Sequence, residues 1–515
     1  MTAFVNNKLA REAGAPLRKL SERNRMRMPE NLKPENVFYF FEEICKIPHG
    51  SGNTGRISDY LVKFAADRGL EHYQDELGNV IIIKEASKGY ENHEPVMLQG
   101  HMDMVAVKRP DSPVDMTKDG LILSVDGDRL FAEGTSLGGD DGIAVAYGLA
   151  LLDGSYRHPR IELVITVDEE VGMDGARGLD AAPLKAKRLV NLDSEEEGIF
   201  LSGCAGGARV NMQISGVWES KKGVPCEICV GGLKGGHSGG EIHKERGNAI
   251  CILGRALYRL GLDMEVSVAD FAGGVADNAI PTDACARLVI SKPETTDKEC
   301  QQKAESICKA INAELREELA DKDEGVSIEI TFEPVSETKV LAGDAGKRAI
   351  ALLNTLPYGV QAMSFAMPGL VETSLNPGLL SVKEKAGGPA ICVGISVRSS
   401  LESAKAALIA RLETLAGLAG AGTEITGDYP GWAFKKDSPL RDKMCEVYEK
   451  LYKRKPVIQA IHAGVECGLL AHKIPGLDCV SIGPDMKNIH TFEEELSISS
   501  TERVWDYLVC LLSEL

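Results

Sequence analysis

Apolar residues recur along this chain with two periods, and the alternation between them is its first structural signal. Ile57, Tyr60, Leu61, Phe64 and Ala65 fall three and four apart, on one face of a helix, and Gly69 marks its end. Short apolar runs at 79–84, 95–105, 161–167 and 188–192 have the length and composition of buried strands. The run 142–152 reads as a buried helix. Strands separated by helices predict an α/β layer structure with a mostly parallel, mixed sheet.

After Gly206 the texture changes. Strand-like segments at 208–217, 225–230, 284–291, 326–332 and 391–397 mix with two long amphipathic stretches, 296–320 and 401–418. We read 207–420 as an inserted α+β domain. The α/β domain is then discontinuous: its N-terminal segment is 31–206, and its C-terminal segment, 421–515, ends in a helix from Thr501. Residues 1–30 carry Lys8, Arg11, Arg18, Lys19, Arg23, Arg25 and Arg27 against Glu12 and Glu22. They read as a flexible basic extension, a targeting remnant, or a stretch ahead of a start near Met26 or Met28.

Composition narrows the classes. A chain of 515 residues is too long for a single core, so at least two domains are expected. The longest apolar runs are about half of what a bilayer requires, so no membrane partner is expected. A net charge of −18 repels phosphate backbones and anionic lipid, which argues against nucleic acid. Some of that charge is neutralised if a carboxylate cluster holds cations. The 13 cysteines are odd in number and lack a framework spacing, and no secretory segment is read. Free thiols and a cytoplasmic location are expected. Cys226 and Cys229 have CxxC spacing, but no second pair completes a zinc site, so they read as structural.

Five short motifs carry chemistry. In Gln99-Gly100-His101-Met102-Asp103, side-chain alternation on a strand puts His101 and Asp103 on one face. Gly138-Gly139-Asp140-Asp141-Gly142 precedes the apolar helix; helix capping explains one of its carboxylates and metal bridging explains two. Asp168-Glu169-Glu170 and Asn191-Leu192-Asp193 each follow a strand, where α/β sheets place their sites. The first of these also fits a solvated acidic turn. The following run Glu195, Glu196 and Glu197 reads as solvated. His490 comes late in the chain. Together these carboxylates and imidazoles suit two divalent metals.

In that order the motifs resemble the zinc peptidases related to carnosinase and aminoacylase, and within them the aminoacyl-histidine (Xaa-His) dipeptidases. The resemblance runs from about residue 33 to the C-terminus. It includes Ile44 to His49, Gly172 to Ala176, Asp193 to Gly198, Gly203 to Gly207, Gly235 to His243 and Ile461 to Gly468. It implies a two-metal catalytic domain with an inserted lid. It further implies that His101 and Asp193 hold one metal, Glu170 and His490 the other, and that Asp140 bridges them. Asp103 would orient His101, and Glu169 would be the general base. The peptide bond after Asp140 is expected to be cis. His237 would donate to the oxyanion, although it also fits a plain turn histidine. Arg398 would clamp the substrate carboxylate, with Asn278 near it. His462 and Glu466 would line the substrate pocket or simply pack. This chain departs from the family in having Asp141 where Asn is usual, and Thr491-Phe492-Glu493 where Ser-Pro is commoner.

The expected function is hydrolysis of dipeptides, Xaa-His included, by a water activated between two Zn²⁺ ions, with Mn²⁺ or Co²⁺ as alternatives. The expected partners are a small peptide and a second copy of the chain in a homodimer. The alternatives are an N-acyl amino acid deacylase or aminopeptidase of the same clan, and a non-catalytic binding protein. Retention of all five ligands and Glu169 argues against the last.

Overall fold

A computed structural model describes residues 32–515; the basic extension read at 1–30 lies outside the described residues. The first sheet has eight strands. Edge to edge they are Glu71–Gln74, Val80–Lys84, Ile161–Thr166, Val96–His101, Arg188–Asn191, Asp478–Ser481, Ile199–Cys204 and Val457–Ile461. The four in the middle, from Ile161–Thr166 to Asp478–Ser481, run parallel. The edge pair Glu71–Gln74 and Val80–Lys84 is antiparallel, so the sheet is mixed, as expected. Two of its strands come from beyond residue 450, which makes this domain discontinuous.

Central strands buried on both faces read as continuous apolar runs rather than as alternation. Val80, Ile82, Val96, Leu98, Leu163, Ile165 and Val190 pack on one side, under helices Glu35–Cys45, Gly139–Asp153, Pro439–Tyr452 and Ile498–Leu512. Ile81, Ile83, Met97, Val164 and Leu189 pack on the other, against Cys467, Leu470 and Leu477. The result is three layers, with the parallel strands ending at His101, Thr166, Asn191 and Ser481 along one rim.

The second sheet forms the lid. Its main path is Ser327–Phe332, Trp218–Gly231, Ala284–Ser291, Glu265–Gly273, Val371–Lys385, Gly388–Ser399, Gly206–Ser215 and Gly422–Tyr429. Every neighbouring pair is antiparallel. The path divides into two four-stranded halves. Helices Ala249–Gly261 and Asp297–Glu318 back the first, Glu402–Leu418 backs the second, and Ala345–Thr355 packs against a strand of each. The halves join edge to edge where Ala272 and Gly273 pair with Ser381 and Leu380. Sequence reading gave 421–429 to the closing segment. That strand instead pairs with Gly206–Ser215, so we place the return to the first domain after Tyr429.

A further correction concerns the cysteines. Cys229 and Cys285 are disulfide-bonded, so the thiols are not all free. They lie 56 residues apart, and only the strand register sets them opposite each other. Cys226 instead packs in the lid core. Among the described residues no helix is long and apolar enough to cross a membrane.

Gly483, just past the strand Asp478–Ser481, shows how tightly the rim is packed. A Cβ there would lie 1.6 Å from the backbone oxygen of Ser194, next to Asp193. Gly483→Ala should therefore destabilise the protein by about 1–3 kcal/mol. Calorimetry should show a fall in Tm of about 2–4 °C per kcal/mol. An unchanged Tm would contradict this packing.

Candidate metal centre and active site

The sheet rim brings together five side chains that are far apart in sequence. His101 ends its strand, and its Nδ1 donates to the backbone oxygen of Asp103 at 2.9 Å. That holds a proton on Nδ1 and turns Nε2 inward, toward the cluster. His101 Nε2 lies 3.2 Å from Asp140 Oδ1 and 3.7 Å from Asp193 Oδ1. On the other side, His490 Nε2 lies 3.1 Å from Asp140 Oδ2 and 2.8 Å from Glu170 Oε1. Asp140 thus presents one oxygen to each half of the cluster.

These spacings suit cation ligands. Donors at about 2.0–2.1 Å from a tetrahedral zinc stand roughly 3.3 Å apart. The 2.8 Å approach of His490 to Glu170 Oε1 lacks hydrogen-bond geometry, and that buried oxygen has no hydrogen-bond partner. A close approach without a hydrogen bond suits two ligands of one cation better than a bond between the two groups. His101, Asp140 and Glu170 form one group able to hold a metal, and His101, Asp141 and Asp193 another.

The charges agree. Burial pushes Asp193 up to about 6 despite His101. The hydrogen bond to Asp140 and the adjacent Glu170 carboxylate push His490 up to about 10. Burial also acts on Asp140, yet hydrogen bonds from His101 and His490 hold its carboxyl below the ordinary range. Asp141 is fully buried after a cis peptide bond and accepts the His101 amide at 3.2 Å. Burial, then Asp193, raises its carboxyl well above the usual range, which favours a neutral acid of the same shape as Asn.

Asp103 does more than face His101. Its carboxylate lies 3.4 Å from His101 Nδ1 and accepts from Glu169 N at 3.0 Å, Glu170 N at 3.3 Å and Ser51 Oγ at 2.8 Å. It therefore sets the turn that presents Glu169 and Glu170. Asp168, at φ 52°, turns away to accept from Gly52 N at 2.6 Å. Burial, reinforced by Asp193 and Glu466, raises the Glu169 carboxyl well above its usual range.

A cavity of about 560 Å³ opens over this cluster, lined by Asp140, Glu169, Glu170, Asp193, His490 and, from the lid, His237. His237 sits on a short ladder where Gly236 and His237 pair with Ile280 and Ala279. Its Nδ1 accepts from Gly239 N at 3.2 Å and Gly240 N at 3.0 Å, which places the ring proton on Nε2. Burial and the nearby Arg398 charge lower its pKa, so the ring stays neutral.

The remaining residues read from sequence lie further out. Arg398 ends the strand Gly388–Ser399; its Nη1 donates to Tyr429 Oη at 3.4 Å, and its buried Nε has no partner. Among the described residues no carboxylate pairs with it. His462 is buried and bonds Ser374 Oγ of the lid at 2.7 Å. Burial, then Arg398, pushes it down to about 3. Neither residue is on the wall of the 560 Å³ cavity, although Ile461, Ala463, Gly464 and Val465 are. Asn278 lines a neighbouring cavity of about 610 Å³, which shares His237 as a wall.

Glu466 is a correction. It does not line the pocket: it is fully buried beneath the rim, accepting from Gln99 Nε2 at 2.5 Å and Thr166 Oγ1 at 2.7 Å. Gln99 in turn accepts from Asn191 Nδ2 at 2.6 Å. A carboxylate has acceptors only, and the strand ends supply donors. The reading of the run after Asp193 also changes. Glu195 and Glu196 line the cavity, and Glu197 is ion-paired to Arg454 and Arg503 with 4% of its side chain exposed. Sequence reading missed Glu494, whose place four residues after His490 was the available signal.

Known proteins resemble this chain over most of its length. The sequence pattern of Peptidase family M20/M25/M40 matches residues 97–514. The chain is 37% identical over 490 residues to the cytosol non-specific dipeptidase of Escherichia coli (strain K12), covering 94% of this chain and 98% of that protein. It is similar to the crystal structure of aminoacylhistidine dipeptidase from Vibrio alginolyticus, with a TM-score of 0.85 and 36% identity, covering 94% of this chain and 97% of that one. It shares a fold with an aminopeptidase from Bacillus cereus ATCC 10987, at a TM-score of 0.53 and 18% identity over 93% and 98% of the chains.

The contacts of Asp103 give a test. Asp103→Ala frees the Glu169 and Glu170 amides and removes the carboxylate beside His101. Metal affinity should fall about 10–100-fold, the usual cost of losing a group that orients ligands. Competition with a chromogenic chelator measures this, and wild-type affinity would rule out the role.

Proposed function

Because this chain belongs to peptidase family M20/M25/M40, we propose that it is a metal-dependent dipeptidase, with Xaa-His dipeptides among its substrates. One observation carries the reading most: His101, Asp140, Glu170, Asp193 and His490 converge beneath a cavity that also holds Glu169 and His237. A volume of about 560 Å³ is that of a small-molecule site, which suits a short peptide and not a folded protein.

His101 and Asp193 would hold one cation, Glu170 and His490 the other, with Asp140 between them. Zn²⁺ fits the mixed imidazole and carboxylate donors, which Mn²⁺ and Co²⁺ can share. When bound, such ions supply an acidified water and polarise the scissile carbonyl. The chain's own groups do the rest. Glu169 takes the proton from the attacking water and passes it to the leaving amine. Its raised pKa suits a group that must both accept and return a proton. His237, with its proton on Nε2, donates to the oxygen that gains charge as the carbonyl carbon becomes tetrahedral. Arg398 has an unpartnered guanidinium nitrogen and receives the free carboxylate of the substrate. Asn278, one wall away, contributes to the same end of the substrate. His462 holds the lid to the catalytic domain through Ser374.

His237 lines the cavity of its own chain, which supports a role in cis. A homodimer and a cytosolic location, the latter carried by the name of the E. coli relative, belong to the same proposal.

Two measurements test this reading. Glu169→Gln should lower kcat by about 10²–10⁴-fold, the usual contribution of a general base, with metal content unchanged. A near-normal rate would remove Glu169 from the mechanism. Arg398→Lys should lower kcat/KM about 10–100-fold, from the loss of about 1.5–3 kcal/mol in hydrogen bonds to a charged group. That loss should appear with dipeptides and not with their C-terminal amides. The substrate panel should include tripeptides and N-acyl amino acids; faster turnover of either would favour an aminopeptidase or a deacylase.

A further inference from the structure

Glu494 takes no role in the chemistry above, yet its carboxylate is almost wholly buried at the edge of the site. Its oxygens accept four consecutive backbone amides. Oε2 accepts Leu137 N at 2.8 Å and Gly138 N at 3.0 Å, and Oε1 accepts Gly139 N at 2.8 Å and Asp140 N at 3.3 Å. These amides lead into the helix Gly139–Asp153, where Asp140 and Asp141 have non-helical backbone. They therefore have no partners within the helix.

The surroundings fit this clasp. Gly138 is left-handed at φ 67°, and a Cβ on it would meet Met104 Sδ at 2.8 Å. A Cβ on Gly139 would stand 3.3 Å from Glu494 Oε1 and 3.2 Å from Met486 Sδ. The two glycines allow the loop to lie flat on the carboxylate. A helix start is ordinarily capped by a neighbouring residue. Here the acceptor comes from 354 residues away, from the loop that also carries His490.

From this geometry we infer that Glu494 is a positioning residue: it sets the loop of Asp140 and locks it to the loop of His490 before any cation arrives. The inference rests on the reading that Asp140 bridges two cations. One carboxylate then fixes the distance between the bridging ligand and a ligand of the second ion. Without it, four amides lose their acceptor and Asp140 must be ordered when the metal binds, which weakens binding.

The test uses the full-length protein, stripped of metal and reloaded with Zn²⁺. Hydrogen exchange in the peptide spanning 134–141 should be slow in the metal-free wild type and should change less than about tenfold on loading. In metal-free Glu494→Gln it should be fast. Chelator competition should show Zn²⁺ affinity weakened about 10–100-fold in Glu494→Gln, with Glu494→Asp between it and the wild type. The rise in Tm on adding Zn²⁺ should shrink in step. A merely structural role would lower the Tm of the metal-free protein and leave affinity and the metal-induced rise unchanged, which overturns the inference. Fast exchange at 134–141 in the metal-free wild type also overturns it, and this arm needs no folded variant. A wild type that binds fewer than two ions would instead defeat the bridging reading, while slow metal-free exchange would still support the clasp.

Discussion

Several carboxylates buried at one point repel one another, and everything at the rim of the first sheet is arranged around that repulsion. Asp140, Glu170 and Asp193 converge within a few ångströms, with Asp141 and Glu169 just behind. Charge taken out of water must be answered by partners or be neutralised. The imidazoles of His101 and His490 answer some of it, at the distances of co-ligands. Cations would answer the rest. The perturbed carboxyls of Asp141, Asp193 and Glu169 show the load the fold bears to keep the cluster together.

That load is carried by backbone amides and polar groups from distant regions of the chain. Asp103 takes the amides of Glu169 and Glu170, Glu494 those of 137–140, and Glu466 binds the side chains of Gln99 and Thr166. Each is a buried carboxylate that accepts from donors at a strand end or a helix start. Gln99 lies two residues before His101, and its partner Asn191 two before Asp193. The candidate ligands His101 and Asp193 are thus tied to one another beneath the cavity. The segment 461–466 extends this outward: Ile461, Ala463, Gly464 and Val465 line the cavity, His462 grips the lid and Glu466 anchors the base.

Much of this was legible from residue order. The α/β pattern, the inserted domain and the buried helix after Asp141 all follow from periodicity, because burial on one or both faces leaves a direct mark on apolar spacing. The motifs around His101, Asp140, Glu169, Asp193 and His490 are modest signals one by one, and it is their order and the family resemblance that single them out. The strand at 422–429 was read with the closing segment because its apolar content is low and nothing local names its partner. The Cys229–Cys285 bond was missed for the same reason: register sets the two opposite, and spacing does not.

Sequence alone determined which groups could do chemistry, since side-chain type and strand-end position are local properties. Only tertiary structure decided what each group faces. It put Glu466 under the rim and not in the pocket, gave Glu197 two arginine partners, set the tautomers of His101 and His237 through backbone contacts, and brought Glu494 against a loop 354 residues away. Those outcomes depend on contacts between residues distant in the chain, and local pattern carries no record of such contacts.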